Sequence, residues 1–486
     1  MARLEEKGYT YFATVRGMCR GCRNVVPARV FFRDGAVWQQ SLCPSCRCDP
    51  ALIAENQDWY MRQVLRVLPD RSPFPGARPP KLGCPLDCGP CTWHASPCQL
   101  PIFSVTNACD LSCPICFTYN RNDRVWHMSL DEARRTIDWV VQSSGPVDLV
   151  NITGGEPTLH PHIMAILREC SRPEIGRVTM NSNGLRLAED YGLCEQLAEL
   201  GVCVVLSFNT FDPKASMEIH GRDVVAAKLN ALDNLMRAGV RTTLLNVLIR
   251  GLNEDALGGL LALLREHDHI LSLTIQTMTY TGQGGGSFPN RAHLPVDAAT
   301  RLVCEASDGV LEPADFVPRP SAHPLCYAIS YLLKAGDRLL PISRFVSREK
   351  LQAMLRDSYL IRLEGEDALR QMIDDVYARN DVEALKLFRG FIERLFAKEG
   401  ALDAFERQRL AEESVRTVYV HAHMDEDTFD CTRAMLCPDL VPSEPGRLIP
   451  ACTYNLFYRM QDERFYRHPY ANRACDGVSL GDGPDG

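Results

Sequence analysis

Between Ile102 and Met278 short apolar runs alternate with stretches of helical periodicity, and this alternation limits the fold more than any other feature of the chain. Ile102–Val105, Val147–Ile152, Val178–Met180, Val202–Leu206, Thr243–Ile249 and Leu271–Met278 read as strands. Helical segments separate most of them. The one opening at Ser129 carries a Ser-x-x-Glu capping box with Glu132 and sets Leu130, Ala133, Ile137 and Val140 on one face. Strands joined through helices pair in parallel by right-handed crossovers. No Gly-x-Gly-x-x-Gly follows the first strand, which argues against a dinucleotide-binding sheet. The expected class is α/β, a partial (β/α)6 barrel over residues 101–290.

Three zones flank the barrel. Residues 1–68 carry two Cys-x-x-Cys pairs, Cys19/Cys22 and Cys43/Cys46, joined by Val30-Phe31-Phe32, Asp34-Gly35 and Ala36-Val37-Trp38. Apolar runs around Asp-Gly predict a hairpin. Thiol knuckles on a hairpin predict a rubredoxin-like or zinc-ribbon domain for a single iron or zinc ion. Residues 69–100 hold a Pro-rich connector (69–80) with little capacity to pack, then a further cysteine segment. Residues 291–486 read as a mainly helical, cysteine-bearing region, helical for example over 381–395, with a Gly/Asp-rich tail that reads as disordered. The segment Gly282-Gln283-Gly284-Gly285-Gly286 could cradle a ligand but reads more simply as a flexible loop.

The chain has 21 cysteines. A secreted disulfide scaffold explains such numbers only in short chains with export signals. Here residues 1–16 mix Glu5, Glu6 and Lys7 with aromatics and have no apolar signal core. Tight spacing suits shared metals instead. Cys109-Asp110-Leu111-Ser112-Cys113-Pro114-Ile115-Cys116 follows the first barrel strand. Three thiolates can hold three irons of a four-iron cubane and leave the fourth open. The loop lies at a strand C-terminus, where α/β barrels place their chemistry. Gly154-Gly155-Glu156-Pro157 follows the second strand, its glycines admitting a ligand close to the backbone and its carboxylate suited to an amino group.

Cys84-x-x-x-Cys88-x-x-Cys91 repeats the cluster spacing without a second Gly-Gly-Glu-Pro, which suggests an auxiliary cluster completed by Cys98 or Cys437, with zinc as the alternative. Cys326, Cys437 and Cys452 suggest a second one, with Cys431 and Cys98 competing for its fourth place. Cys170, Cys194, Cys203 and Cys304 sit in apolar patterns and read as small buried hydrophobes.

The first cysteine motif followed by Gly-Gly-Glu-Pro on consecutive strands resembles the radical S-adenosylmethionine (SAM) superfamily. The resemblance implies that Cys109, Cys113 and Cys116 bind a [4Fe–4S] cluster whose open iron takes SAM. It implies that electron uptake then yields a 5′-deoxyadenosyl radical. Ile115, Gly154, Gly155, Glu156 and Pro157 fall at SAM-binding positions of that family, and Asn183, Ser207 and Asn209 at strand ends that resemble its ribose and carboxylate contacts. The paired knuckles, GCPLDCGPC, CDLSCPICF, GGEPTLHP, HPLCY, HMDEDTFD and PACTYN together resemble the archaeal tetraether lipid synthase and its bacterial relatives. That likeness implies a rubredoxin-like iron, two auxiliary [4Fe–4S] clusters, and a reaction joining unactivated carbons of two lipid chains. A side branch of the family is assigned to pterin methylation. Cys48, a fifth thiol near the knuckles, and the spacing of Cys431 to Cys437 depart from the pattern and leave the ligand sets open.

A formal net charge of −8 gives no basic field for nucleic acid. No run is long enough to span a bilayer, so a cytoplasmic enzyme is expected, with peripheral membrane contact still compatible. The partners expected are a lipid or other small-molecule substrate and a reducing donor such as ferredoxin or flavodoxin. Two other readings compete with lipid coupling. A radical methyltransferase would also release S-adenosylhomocysteine, whereas an iron–sulfur or zinc electron-transfer protein would have no need of Glu156.

Overall fold

The computed structural model describes residues 8–64, 74, 77–89, 91–118, 122–335, 338–356, 358, 373–374, 376–378, 382–396, 403–444 and 446–465. The Gly/Asp-rich tail and much of the Pro-rich connector lie outside the described residues.

The paired-knuckle zone is a four-stranded antiparallel sheet of β1 (Thr10–Met18), β2 (Val25–Arg33), β3 (Ala36–Ser41) and β4 (Ala51–Ala54), in that order. The expected hairpin joins β2 to β3. Arg33 pairs with Ala36 across the turn, and Asp34 and Gly35 both take positive φ, 53° and 75°, which a two-residue type I′ turn requires. Val30, Val37 and Ile53 face Tyr60 of the helix Gln57–Val64 to form a small core.

Among the described residues the main sheet has eleven strands. At its centre run β5 (Leu100–Thr106), β6 (Val147–Gly154), β7 (Ile175–Ser182), β8 (Cys203–Ser207), β9 (Thr242–Leu248) and β10 (Ile270–Thr277), each parallel to the next. These are the six units expected from the sequence. The helix Leu130–Ser144 between β5 and β6 begins where Ser129 Oγ accepts the Glu132 N–H at 3.2 Å.

The C-terminal region adds strands that the helical reading did not contain. After β11 (Tyr327–Ala335) and β12 (Arg338–Pro341), β13 (Val415–His421) pairs in parallel with β10. Then β14 (Asp439–Glu444) pairs in parallel with β5 at the opposite edge, and β15 (Arg447–Pro450) turns back on it. Helices do occupy much of this region, including Val296–Glu305 and Val382–Leu395. β11–β12 and β14–β15 are local hairpins, but the pairings that attach β11, β13 and β14 to the rest of the sheet are long-range and leave no local periodicity to read. β13 is buried on both faces and so lacks the alternation of a half-exposed strand.

Within β5 to β10 the two faces are chemically distinct, as the period of two allows. Val150, Ile152, Val178, Met180, Val204, Leu206, Leu244 and Leu273 point outward into the main core beneath the helices. The residues between them, including Asn151, Thr179, Val205, Thr243 and Ser272, line an internal cavity. No helix among the described residues is long and apolar enough to cross a membrane.

Leu244 is fully buried on the outer face of β9. Leu244→Ala should cost about 2–5 kcal/mol from lost burial and the cavity left behind, read as a fall in melting temperature. An unchanged melting temperature would contradict this packing.

Candidate active site

Cys109, Cys113 and Cys116 lie on the loop leaving β5 and border a cavity of about 390 Å³ enclosed by the main sheet. Backbone contact from β6 fixes that loop. Gly155 N–H donates to Thr106 O (2.8 Å), and Glu156 N–H donates to Ala108 O (2.7 Å). A Cβ on Gly154 would lie 2.2 Å from Thr106 O, and one on Gly155 2.0 Å from Ala108 O. Any side chain would push the two strand ends apart.

The Gly-rich segment braces the other side. It is a short helix, Gly282–Ser287, rather than a free loop. Gly284 N–H donates to Cys116 O (2.9 Å), and Gln283 Nε2 reaches Ser112 Oγ and Cys113 O at 3.3 Å each. A Cβ on Gly282 would meet the Phe117 carbonyl carbon at 2.4 Å. These glycines permit close packing rather than motion. Ile115 is buried between this helix and Met278, Ile219 and Ile249.

Glu156 is buried at the cavity wall. Its Oε1 accepts from Thr158 N–H (3.1 Å), Thr158 Oγ1 (2.7 Å) and Ser182 Oγ (2.9 Å), and its Oε2 from Asn183 N–H (2.7 Å). Burial raises its pKa, and these donors oppose the rise. Pro157 starts the tight turn Pro157–Leu159 that presents Thr158. Asn183 Nδ2 donates to Asp110 Oδ1 (2.6 Å), tying the end of β7 to the cysteine loop.

Two further residues, neither visible in the sequence, support this wall. Lys228 is 1% exposed, and its Nζ donates to Asn183 O (2.9 Å) and Ser207 O (2.5 Å). Burial lowers its pKa to about 8, with the charges of Cys113 and Glu156 acting in the opposite sense. His220 has its pKa lowered to about 3 by burial, so its ring is neutral. Asn209 Oδ1 accepts from Val247 N–H (2.7 Å), which leaves its amide nitrogen to face His220 Nε2 at 3.4 Å. His220 Nδ1 lies 3.4 Å from Cys113 Sγ. Burial also raises the Cys113 thiol to about 12, so ligand loading there would release a proton.

The structure brings Cys326, Cys437 and Cys452 together, close enough for their charges to interact. His423 Nδ1 lies 3.4 Å from Cys452 Sγ, and Arg433 Nη2 lies 3.5 Å from Cys326 Sγ. The segment His421 to Asp425 is the end of β13 and its exit, and both His421 and His423 face the cavity. Phe117, next to Cys116, stacks on His423 at 5.5 Å between ring centroids. One aromatic pair therefore separates the two cysteine groups.

Around Cys84 the arrangement departs from expectation. Its neighbours are Cys88, Cys91 and Cys431, and Cys431 Sγ lies 3.4 Å from Cys84 O. Cys98 does not join this group. It is buried in the main core with Phe103 and Val105. Cys437, the other candidate for this group, belongs with Cys326 and Cys452. Sequence spacing could not decide among these, because the choice depends on where the segment 431–452 folds back.

At the N-terminus, Cys19, Cys22, Cys43 and Cys46 present four sulfurs within 4.8 Å of one another, a donor set that suits a single tetrahedral metal ion. Cys48 Sγ lies 3.7 Å from Cys19 Sγ. Burial would raise the Cys19 thiol, but hydrogen bonds from the Cys22 backbone and neighbouring thiols outweigh it and bring Cys19 to about 7.

Residues 103–264 match the family model of the radical SAM superfamily. Among curated proteins, the 7,8-dihydro-6-hydroxymethylpterin dimethyltransferase of Methanocaldococcus jannaschii is 25% identical, covering 93% of this chain and 95% of that protein. The GTP 3′,8-cyclase of Chlorobaculum tepidum is 32% identical over 36% of this chain and about half of its own length, 51%. Among solved structures, Streptococcus suis SuiB bound to precursor peptide SuiA aligns with a TM-score of 0.37 and 21% identity, covering 44% of this chain and 46% of that one. Residues 103–264 are a radical SAM domain, and that domain implies a [4Fe–4S] cluster and SAM. The residues present fit that pair, because three free thiols open on one cavity beside a buried carboxylate and a backbone that tolerates no side chain.

Gly155→Ala should displace the cysteine loop and lower iron bound per chain, while leaving any metal held at the N-terminal knuckles in place. Metal analysis of the reconstituted variant checks this. Full iron content would show that the close approach is dispensable.

Proposed function

We propose that this enzyme forms a carbon–carbon bond at an unactivated carbon of a lipid hydrocarbon chain held in the barrel cavity. The observation that carries this reading is one cavity bounded by the Cys109–Cys116 loop and by His421 and His423, the latter 3.4 Å from Cys452 Sγ of the second cysteine group. Apolar side chains such as Leu100, Leu149, Leu245 and Leu271 extend it to the far end of the barrel strands, a shape suited to an elongated apolar substrate.

Cys109, Cys113 and Cys116 would hold the cluster. Gly154, Gly155, Glu156, Pro157, Ile115, Asn183, Ser207 and Asn209 would hold SAM, with Glu156 receiving its amino group. When bound, this pair supplies a 5′-deoxyadenosyl radical capable of removing hydrogen from an alkyl carbon. The protein's own part is to fix the cysteine loop through Gly154, Gly155 and Gly284, and to enclose the site so that water is kept from it. Cys84, Cys88 and Cys91 with Cys431, and Cys326, Cys437 and Cys452, would hold one or two auxiliary clusters. Cys19, Cys22, Cys43 and Cys46 would hold iron or zinc. A reducing donor such as ferredoxin or flavodoxin is required.

A second reading is methylation of a pterin or similar small molecule. It is favoured by the full-length similarity to the Methanocaldococcus jannaschii pterin dimethyltransferase and by hydroxyl and amide groups of Ser104, Asn151, Thr179 and Thr243 on the cavity wall.

With anaerobically reconstituted protein, SAM, reductant and perdeuterated lipid extract, deuterium should appear in 5′-deoxyadenosine by mass spectrometry. Unlabelled 5′-deoxyadenosine together with S-adenosylhomocysteine on adding a dihydropterin would move the assignment to the second reading. Cys116→Ala should abolish 5′-deoxyadenosine while leaving the metal at the N-terminal knuckles in place. Retained cleavage would overturn the assignment of the loop.

A further inference from the structure

Arg459 follows the helical turn Tyr454–Tyr458 and is 7% exposed. Its guanidinium lies over the Phe465 ring at 4.3 Å and near the Tyr454 ring at 5.9 Å, contacts that fix its plane. Nε and Nη2 are buried and have no hydrogen-bond partner among the described residues. Asp462, three positions on, is engaged by Arg464 (2.7 Å) and by Tyr454 Oη (3.0 Å). Arg459 nevertheless borders the barrel cavity, close enough to Cys116 for their charges to interact.

Two cations line this cavity among the described residues, Arg177 and Arg459. Arg177 lies toward the start of β7, away from the cysteine loop, and is held by Glu412. Arg459 stands at the cysteine end without such a partner. A guanidinium taken out of water without an anion carries its full desolvation cost, and the ring contacts offset only part of it. A planar fork of donors matches the oxygens of a carboxylate or phosphate.

Resting on the reading of this cavity as a SAM site, we propose that Arg459 binds an anionic oxygen group there, a carboxylate or a phosphate. The group is presented either by the methionine part of SAM or by an acidic end of the substrate. The Arg459 side chain is thereby a binding and positioning residue supplied by the C-terminal region to chemistry that starts on the barrel.

The test uses full-length, anaerobically reconstituted wild type, Arg459→Gln and Arg459→Lys, each checked for iron content. Equilibrium dialysis measures binding of SAM and of decarboxylated SAM. In the SAM-loaded proteins it then compares dodecyl phosphate with dodecanol. If SAM is the source, Arg459→Gln should weaken SAM binding at least tenfold and leave decarboxylated SAM unaffected, with Arg459→Lys recovering part of the loss. If the substrate is the source, SAM binding should hold while the preference for dodecyl phosphate over dodecanol disappears. Unchanged binding of both probes would overturn the proposal, even with an altered electron paramagnetic resonance signal, because Arg459 would then only balance cluster charge. Loss of iron in both variants would overturn it as well, in favour of a structural role. A wild type that binds no SAM would instead reject the reading of the site itself.

Discussion

Two strand ends meet here with no room for a side chain between them, and the geometry of the site follows from that meeting. The carbonyls of Thr106 and Ala108 accept from Gly155 and Glu156, and a Cβ at either glycine would collide with them. Because β5 and β6 are held this tightly, the loop carrying Cys109, Cys113 and Cys116 begins at a fixed point. Glu156 is also delivered to the same wall with both carboxylate oxygens already engaged by donors on its own turn and on β7. Position comes from the backbone and charge from the side chains.

The barrel wall extends the same economy. Each strand gives its outer residues to the helices and its inner residues to the cavity, so one period-two pattern builds a core and a chamber together. Large aliphatics fill the outer face. The inner face mixes small hydroxyl and amide groups with leucine and valine, which leaves space rather than filling it. Lys228 and His220 reinforce the mouth, one by bonding two strand-end carbonyls and the other by setting a ring nitrogen against Cys113 Sγ.

Much of this was legible in the sequence. The six barrel strands, the Asp34-Gly35 hairpin, and the cysteine loop facing Gly-Gly-Glu-Pro all follow from local spacing, which neighbouring residues determine. The grouping of Cys326 with Cys437 and Cys452 also agrees with the fold. What remained hidden depends on distant pairing. β13 and β14 join opposite edges of the sheet, Cys431 reaches Cys84 from far along the chain, and Cys98 turns into the core. Lys228 stands in an ordinary helical pattern, and its burial against two carbonyls leaves no local signature. The Gly282–Ser287 segment shows the complementary error, since composition suggested mobility where the glycines serve close contact.

The pairing of β14 with β5 has a consequence for how the enzyme is made. Leu100 finds its partner Asp439 only after nearly the whole barrel has been synthesised. Until then the first strand of the sheet keeps a bare edge and the chamber lacks the wall that β13 and β14 provide. On the ribosome, the cysteine loop therefore exists for some time as part of an open half-shell. The first barrel strand is therefore the last to have both of its edges paired, and the sheet is complete only when residues near Asp439 are in place.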